Sequence, residues 1–332
     1  MAYETEDQET QYCFPHINSS CVKGKRSSHE YNIMYMFFSL LSAWTVFLNL
    51  LVIISISYFK KLHTPTNMII LSLAVADLLI GLIVMPVEAV KLIETCWYFG
   101  DTLCELFMII MMLTVSSSMC NLVLIAVDRY VAVCHPLLYQ RKITTTKTLS
   151  ICLCWLFSSS YNAGFLISDR YFETSQRQNV CYGMCYFAVS FSWQFTDLFF
   201  SFVLPCTLII TLYLRIFYVA HQQVKVINSL MKGGKCAMEG CVRRKSESKA
   251  ALTLGIIVAI YLLCYIPFYI LHILPVTGTI ISSSTMTFLI WSLYVNSSLN
   301  PLVYALFYSW FKLSIKHILT CKILSPLLNH KL

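Results

Sequence analysis

The segment Val189–Cys206 reads V-S-F-S-W-Q-F-T-D-L-F-F-S-F-V-L-P-C. It is apolar and aromatic enough to lie in lipid, yet it carries one carboxylate, Asp197, eight residues before Pro205. An acid at the centre of a membrane helix costs roughly 2.5–3.5 kcal/mol, so it normally faces a bundle interior or a wet cavity. The acid either hydrogen-bonds a neighbouring helix or water, or it is the counter-ion of a cationic ligand. Ser201 and Trp193 lie one turn away on either side, on the same face of the helix as Asp197. A polar group and an aromatic ring beside the acid favour the interpretation that it binds a cationic ligand.

The composition is that of a membrane protein that crosses the bilayer several times. Of 332 residues, 58% are hydrophobic and 12% are charged, against about 25% charged in soluble domains. Each apolar run is long enough to cross ~30 Å of hydrocarbon as a helix of about 20 residues. The sequence therefore predicts an all-α membrane protein, a bundle of seven transmembrane helices. The runs are 34–58, 67–93, 104–127, 148–168, 186–219, 251–275 and 284–308.

The distribution of positive charge predicts the orientation. Eighteen of the 24 Lys and Arg residues fall on the side of the loops after spans one, three and five and of the C-terminal tail. Positive residues mark the cytoplasmic side, so the N-terminus is expected outside. The net charge of +8 reflects this asymmetry and gives no reason to expect nucleic acid. We predict an extracellular tail at 1–32, the bundle at 33–308, and a short amphipathic helix with a cytoplasmic tail at 309–332.

The ends of the chain carry further signals. The first thirty residues lack the apolar core of a signal peptide, so no cleavage is expected. Asn18 begins an N-S-S glycosylation sequon in the outer segment. The segment F-K-L-S-I-K-H-I-L at 311–319 suits the lipid surface of the inner leaflet. Beyond it, Cys321 is either acylated or a free thiol.

Six cysteines lie in segments placed outside, where oxidation is permitted. Two of them form the C-Y-G-M-C sequence that ends at Cys185. A metal site would need a His or a second pair at suitable spacing, so two disulfides to separate partners are favoured. The six are Cys13, Cys21, Cys96, Cys104, Cys181 and Cys185.

Two further acids lie in the second span. Asp77 is buried in L-A-V-A-D-L-L, whereas Glu88, beyond Pro86, is interpreted as a water-exposed residue at the outer rim. Intramembrane acids also suit a channel or transporter, but the chain lacks the internal repeats of the commonest transporter plans. It contains no phosphate-binding loop, G-x-S-x-G or H-E-x-x-H sequence, so enzyme activity has no support.

Motifs in every span resemble the rhodopsin-like G-protein-coupled receptors, over about residues 30 to 321. They are Asn49, L-A-V-A-D around Asp77, D-R-Y at 128–130, Trp155, Pro205, Pro267 and N-P-L-V-Y at 300–304.

Within that class, the chain is similar to the trace-amine-associated receptors. The resemblance rests on N-S-S-L-N-P-L-V-Y-A-L-F-Y-S-W-F at 296–311, L-H-T-P-T-N at 62–67, T-C-W-Y-F-G at 95–100 and the outer C-x-x-x-C. It implies an olfactory amine sensor at the plasma membrane, with olfactory cilia as its expected location. It also implies a stimulatory G protein and arrestin as partners. A non-sensory aminergic receptor is the alternative.

The usual amine anchor is missing. Aminergic receptors carry an Asp 18 residues before the Arg of D-R-Y, where this chain has Met111 followed by Met112. The chain resembles the fish-expanded branch, in which the acid stands on span five, as Asp197 does. An ammonium that leaves water needs a carboxylate and aromatic faces. The expected ligand-binding residues are Asp197, Met111, Met112, Trp193, Ser201, Tyr265, Phe268, Tyr269 and Tyr294.

The resemblance also implies switch residues and an ion site. Tyr265 replaces a Trp that relatives usually carry, and Glu247 is expected to hold Arg129 at rest. The implied switch residues are Asp128, Arg129, Tyr130, Tyr213, Pro267, Asn300, Pro301 and Tyr304. Hard oxygen ligands suit a sodium ion at Asp77, Ser118, Asn296, Ser297 and Asn300, with a plain water network as the alternative.

The same correspondence pairs Cys104 with Cys185 and Cys21 with Cys181. It leaves Cys13 and Cys96 without an assigned partner.

Overall fold

The computed structural model of this protein describes residues 11–139, 144–176, 181–185, 191–232, 255–256, 258–269, 283–307 and 309–320. The helices in these ranges are α1 (Ser28–Tyr58), α2 (Pro65–Glu94), α3 (Gly100–Cys134), α4 (Thr144–Gln176), α5 (Phe191–Asp197, Leu198–Val203 and Leu204–Lys232), α6 (Val258–Tyr269), α7 (Ser283–Phe307) and α8 (Ser309–Leu319). Among the described residues, α1 to α5 are long and apolar enough to cross a membrane, α6 is a shorter apolar helix, and α6 and α7 coincide with the sixth and seventh predicted spans. The all-α bundle with a short eighth helix is confirmed.

The helix starts follow from local hydrogen bonding. Ser27 and Glu30 form a reciprocal capping box at the start of α1, so α1 begins at Ser28, outside the apolar run that starts at residue 34. The hydroxyl of Thr64 accepts from the N–H of Asn67, and Pro65 occupies the first position of α2. Proline suits that position because its missing N–H would have no intrahelical partner there.

Helix α3 lies at the centre of the bundle, in contact with α2, α4 and α5. Its inner face joins a continuous buried cluster that includes Leu122, Ile125 and Ala126. On α1, by contrast, large apolar side chains such as Leu40 and Trp44 are exposed. Apolar faces of this kind on a helix of membrane-spanning length are the surface that contacts lipid.

Two helices contain a widened turn of the π type. In α2 it spans Ile80–Val84 and in α5 it spans Leu198–Val203. The hydroxyl of Ser42 on α1 donates to the carbonyl oxygen of Gly81 at 2.6 Å, which satisfies an acceptor in the widened α2 turn. A side chain at Gly81 would meet Thr45 of α1 at 3.0 Å, so glycine permits this close approach. Turns of this type often mark functional sites.

The outer ends of the helices are joined by three disulfides. Cys104–Cys185 and Cys21–Cys181 are the two pairings implied by the resemblance, and Cys13–Cys96 is a third. Isolated backbone bridges pair Tyr12 with Val22 and Ser20 with Tyr182. The segment from residue 11 to residue 27 is thereby fixed to the first and second outer loops.

Candidate functional site

Asp197 is half-buried at the end of the first part of α5, directly before the widened turn. Its Oδ1 accepts a hydrogen bond from the Ser201 hydroxyl at 2.6 Å and from the Tyr161 hydroxyl of α4 at 3.1 Å. Both donors are neutral. Among the described residues, no Lys, Arg or His lies within ion-pair distance of this carboxylate. The site therefore presents a negative charge that is oriented but not neutralised.

Aromatic rings surround this carboxylate on two sides. Trp193 packs edge-to-face against Tyr161 and Phe165, with ring centroids 6.3 and 5.6 Å apart. From α6, Tyr269 lies within electrostatic range of Asp197 and stacks on Phe202 of α5 at 4.4 Å. A cation at Asp197 would therefore meet ring faces as well as a carboxylate.

Tyr161 was missed by the sequence analysis. It lies 36 residues before Asp197 and on another helix. The available signal was a tyrosine within an apolar span, because a buried tyrosine hydroxyl usually finds a hydrogen-bond partner.

The other predicted ligand residues form a second group on α3, α6 and α7. The Tyr294 hydroxyl donates to the Met111 sulfur at 3.5 Å, across α7 and α3. Met112 is half-buried beside Met111. Tyr265 is buried, stacks on Tyr261 at 4.0 Å, and lies within electrostatic range of both Tyr269 and Tyr294. Phe268 packs edge-to-face on Tyr269 at 5.5 Å, so contacts through α6 link the two groups.

The predicted sodium site forms one polar cluster below these residues. Asp77 is fully buried and accepts from the Asn300 amide at 2.8 Å and from the Ser118 hydroxyl at 3.4 Å. Ser297 lies close enough to this carboxylate to interact with it. The side-chain oxygen of Asn296 is buried without a hydrogen-bond partner among the described residues. A buried carboxylate with a neighbouring hydroxyl and amide fits a hard monovalent cation.

Arg129 is held near the C-terminal end of α3. Its guanidinium forms an ion pair with Asp128 and donates to the Thr66 hydroxyl at 2.6 Å and the Tyr139 hydroxyl at 3.1 Å. Thr66 in turn donates to Asp128 at 2.8 Å. The sequence analysis missed Thr66 and Tyr139, although Thr66 lies in the quoted L-H-T-P-T-N. Glu247, the expected partner of Arg129, lies outside the described residues.

The remaining switch residues lie along the inner half of the bundle. Tyr213 of α5 and Tyr304 of α7 are buried, and Pro301 lies inside α7 directly after Asn300. Tyr130 packs edge-to-face on His135 at 5.6 Å. Pro267 is half-buried in α6.

The expectation for Glu88 is wrong. This side chain is 2% exposed and pairs with Lys91 at 3.4 Å, rather than lying at a wet rim. The widened turn of α2 comes one turn before it, and hydropathy along the chain does not indicate which way the helix faces after such a turn.

Of the two predicted modification sites, Asn18 and Cys321, the structure describes only the first. Asn18 is exposed, which is compatible with glycosylation. Cys321 lies outside the described residues. Among the described residues, no three His, Cys, Asp or Glu side chains cluster in a way that could hold a metal ion.

Comparison with known proteins identifies relatives over nearly the full length. A profile of the family described as 7 transmembrane receptor (rhodopsin family) matches residues 48–304. Trace amine-associated receptor 13c of Danio rerio is 37% identical over 331 residues, which cover 97% of this chain and 95% of that receptor. Trace amine-associated receptor 7a of Rattus norvegicus is 39% identical over 95% of this chain and 89% of its own. Trace amine-associated receptor 5 of Mus musculus is 37% identical over 96% of this chain and 94% of that receptor.

Proposed function

Because this chain belongs to the trace amine-associated receptors of the rhodopsin family, it is an aminergic G-protein-coupled receptor, and we propose that Asp197 binds the ligand's ammonium. The observation that carries the proposal is a half-buried carboxylate held by two neutral hydroxyls. Removing an unpaired charge from water is costly, so such a group stabilises an incoming cation strongly. Trp193 and Tyr269 provide ring faces beside the same group.

Asp77, another acid buried in the bundle, is unsuited to this role. Asp77 is fully buried, and Asn300 and Ser118 already donate to it. Asp197 is only half-buried and lies on the outer part of α5. A ligand arriving from the extracellular side therefore meets Asp197 before Asp77.

The rest of the ligand contacts the methionine side of the site. Met111 stands where related receptors carry the acid, and its sulfur accepts from Tyr294. A thioether is polarisable and adapts to irregular apolar groups. The ammonium points toward α5 and the apolar part of the amine lies against α3 and α7, where Met112, Phe268 and Tyr265 complete the wall.

Signalling proceeds by population shift between a resting and an open cytoplasmic face. In the resting form, Asp128, Thr66 and Tyr139 hold Arg129. Agonist binding favours the open form, and a stimulatory G protein that binds the same form reinforces it. Arrestin is the expected second cytoplasmic partner.

A sodium ion, when bound, would supply positive charge next to the Asp77 carboxylate. Ser118, Asn296, Ser297 and Asn300 would hold it with oxygen ligands. Because Asn300 adjoins Pro301 in the N-P-L-V-Y segment, these side chains couple the polar cluster to the inner end of α7.

Amine-dependent cyclic AMP production in transfected cells tests the function. We expect a subset of primary or substituted amines to raise cyclic AMP without amine flux, and Asp197→Asn to weaken the response at equal surface expression. Expression in olfactory neurons, detected by in situ hybridisation, tests the sensory role. Amine flux through the protein without cyclic AMP would contradict the receptor function.

A further inference from the structure

Glu88 of α2 is a charged side chain that the proposed function does not use. It is 2% exposed, lies in the Met85–Glu94 part of α2, and accepts from Lys91 at 3.4 Å. Lys91 is its one hydrogen-bond donor among the described residues. A carboxylate has acceptor sites for about four donors, so most of its hydrogen-bonding capacity is unused although burial makes that costly.

Lys91 shows which chemical group this position accepts. Its side chain ends in a primary alkylammonium, and the nitrogen lies 5.9 Å from the ring centroid of Phe107 on α3. A carboxylate plus an aromatic face is the combination that binds a primary amine. Lys91 itself is 26% exposed, so its flexible stem can move outward into water at low cost. The Glu88 position is therefore an ammonium site that a tethered side chain occupies.

The Glu88 pair adjoins the predicted ligand site. Phe107 precedes Met111 by one turn on α3, and Tyr294, which donates to Met111, lies within electrostatic range of Glu88. Tyr294 packs edge-to-face on Trp291 at 5.5 Å. The indole N–H of Trp291 is buried, with no hydrogen-bond partner among the described residues. A buried donor without a partner indicates that a ligand, a water or a side-chain movement completes this region.

The spacing between the two acids can be derived along α3. Glu88 lies at about the same depth in the bundle as Phe107, because Lys91, which pairs with Glu88, lies over the Phe107 ring. Asp197 is level with Ser116, because Tyr161 binds Asp197 while its neighbour Asn162 donates to Ser116 at 3.0 Å. Nine residues at about 1.5 Å each separate these levels by about 13 Å. Two ammonium nitrogens that lie between the two acids, each about 3 Å from its carboxylate, would thus stand on the order of 10 Å apart.

We propose that Glu88 is a second ammonium site, occupied by Lys91 in the free receptor, and that the preferred ligands are long-chain diamines or linear polyamines that displace Lys91. The second site rests on the proposed function, because Asp197 must hold the first ammonium. A dication binds with one nitrogen at Asp197 and the other at Glu88, while the alkyl chain crosses the Met111 and Tyr294 surface. Lys91 then moves into water.

Direct binding to the purified receptor in lipid nanodiscs tests this. The probes are octylamine, 1,8-diaminooctane and 1,3-diaminopropane, and the readout is the ratio of affinities for 1,8-diaminooctane and octylamine. We expect the wild-type ratio to favour the long diamine. Glu88→Gln should lower the ratio roughly 10-fold or more, and Lys91→Gln should raise it by a similar factor, because close charge pairs at interfaces couple by that amount or more. The short diamine should gain nothing from its second nitrogen.

A second Lys–Glu pair provides matched controls. Lys23 and Glu94 lie 3.5 Å apart at the outer ends of the bundle. Lys23→Gln changes the net charge as Lys91→Gln does, and Glu94→Gln changes it as Glu88→Gln does. Both controls should leave the affinity ratio unchanged. Because the Lys91 and Glu88 substitutions act in opposite directions, poor folding of Glu88→Gln cannot imitate the expected pattern.

The outcomes separate the two proposals. If octylamine binds through Asp197 but the long diamine binds no more tightly and neither Glu88→Gln nor Lys91→Gln shifts the ratio, the second site is refuted alone. If no amine binds, or if Asp197→Asn leaves octylamine affinity intact, the proposed function fails and the second site fails with it.

Discussion

Replacing Asp197 with Asn is the sharpest test of amine recognition. The amide oxygen of Asn can still accept from the Tyr161 and Ser201 hydroxyls that now bond the carboxylate at 3.1 and 2.6 Å. The substitution therefore removes the charge and preserves the shape and the local hydrogen bonds. Asp197→Ala would also leave two hydroxyls without their acceptor, at a further cost of about 1–3 kcal/mol in stability if they stay buried.

The expected loss follows from the burial of the site. Two unit charges about 4 Å apart interact by about 4 kcal/mol at an effective dielectric constant of about 20. Breaking one side of a buried pair costs about 3–5 kcal/mol. Because Asp197 is half-buried, we expect the lower end, about 3 kcal/mol. That is roughly a 100-fold rise in the amine concentration for half-maximal response.

The measurement is a cyclic AMP dose–response curve for the best agonist of wild type, with surface expression matched by an N-terminal epitope. Glu94→Gln is the control, since it removes another acid from the outer side without touching α5; Glu94 bonds Tyr35 and Lys23 instead. An Asp197→Asn curve that overlays wild type at equal expression would refute Asp197 as the ammonium partner.

Four further changes test other parts of the structure. Tyr161→Phe removes one donor to Asp197 and should weaken agonist potency about fivefold, as expected for a lost hydrogen bond of about 1 kcal/mol; an unchanged curve would contradict its orienting role. Asp77→Asn should abolish any effect of sodium on agonist binding, measured with sodium replaced by N-methylglucamine; a sodium effect retained in the variant would place the ion elsewhere. Cys13→Ser breaks a disulfide that joins residues 83 apart and should lower stability by about 2–4 kcal/mol, seen as a lower Tm; an unreduced wild-type peptide map with a different pairing would refute it. Thr66→Ala removes a hydrogen bond to Arg129 and should raise basal cyclic AMP, whereas unchanged basal signalling would show that this contact does not restrain the resting form.

The sequence alone determined the insertion and the signalling scaffold. Hydropathy acts on each segment separately, so the seven apolar runs define the spans, and the asymmetry of the basic loops predicts their orientation, without reference to packing. The prediction that Asp197 binds the ligand arises in the same way, because an acid in an apolar span requires a partner wherever the neighbouring helices lie.

Only the tertiary structure decided which side chains meet. Tyr161 reaches Asp197 from another helix, Thr66 reaches Arg129 across 63 residues, and Cys13 reaches Cys96 across 83. Glu88 shows the reason most clearly: its depth along α2 can be read from the sequence, but its burial depends on how the helix is rotated after the widened turn at Ile80–Val84. Helix rotation is set by packing against neighbouring helices, and a hydropathy pattern that is apolar on nearly all sides does not encode it.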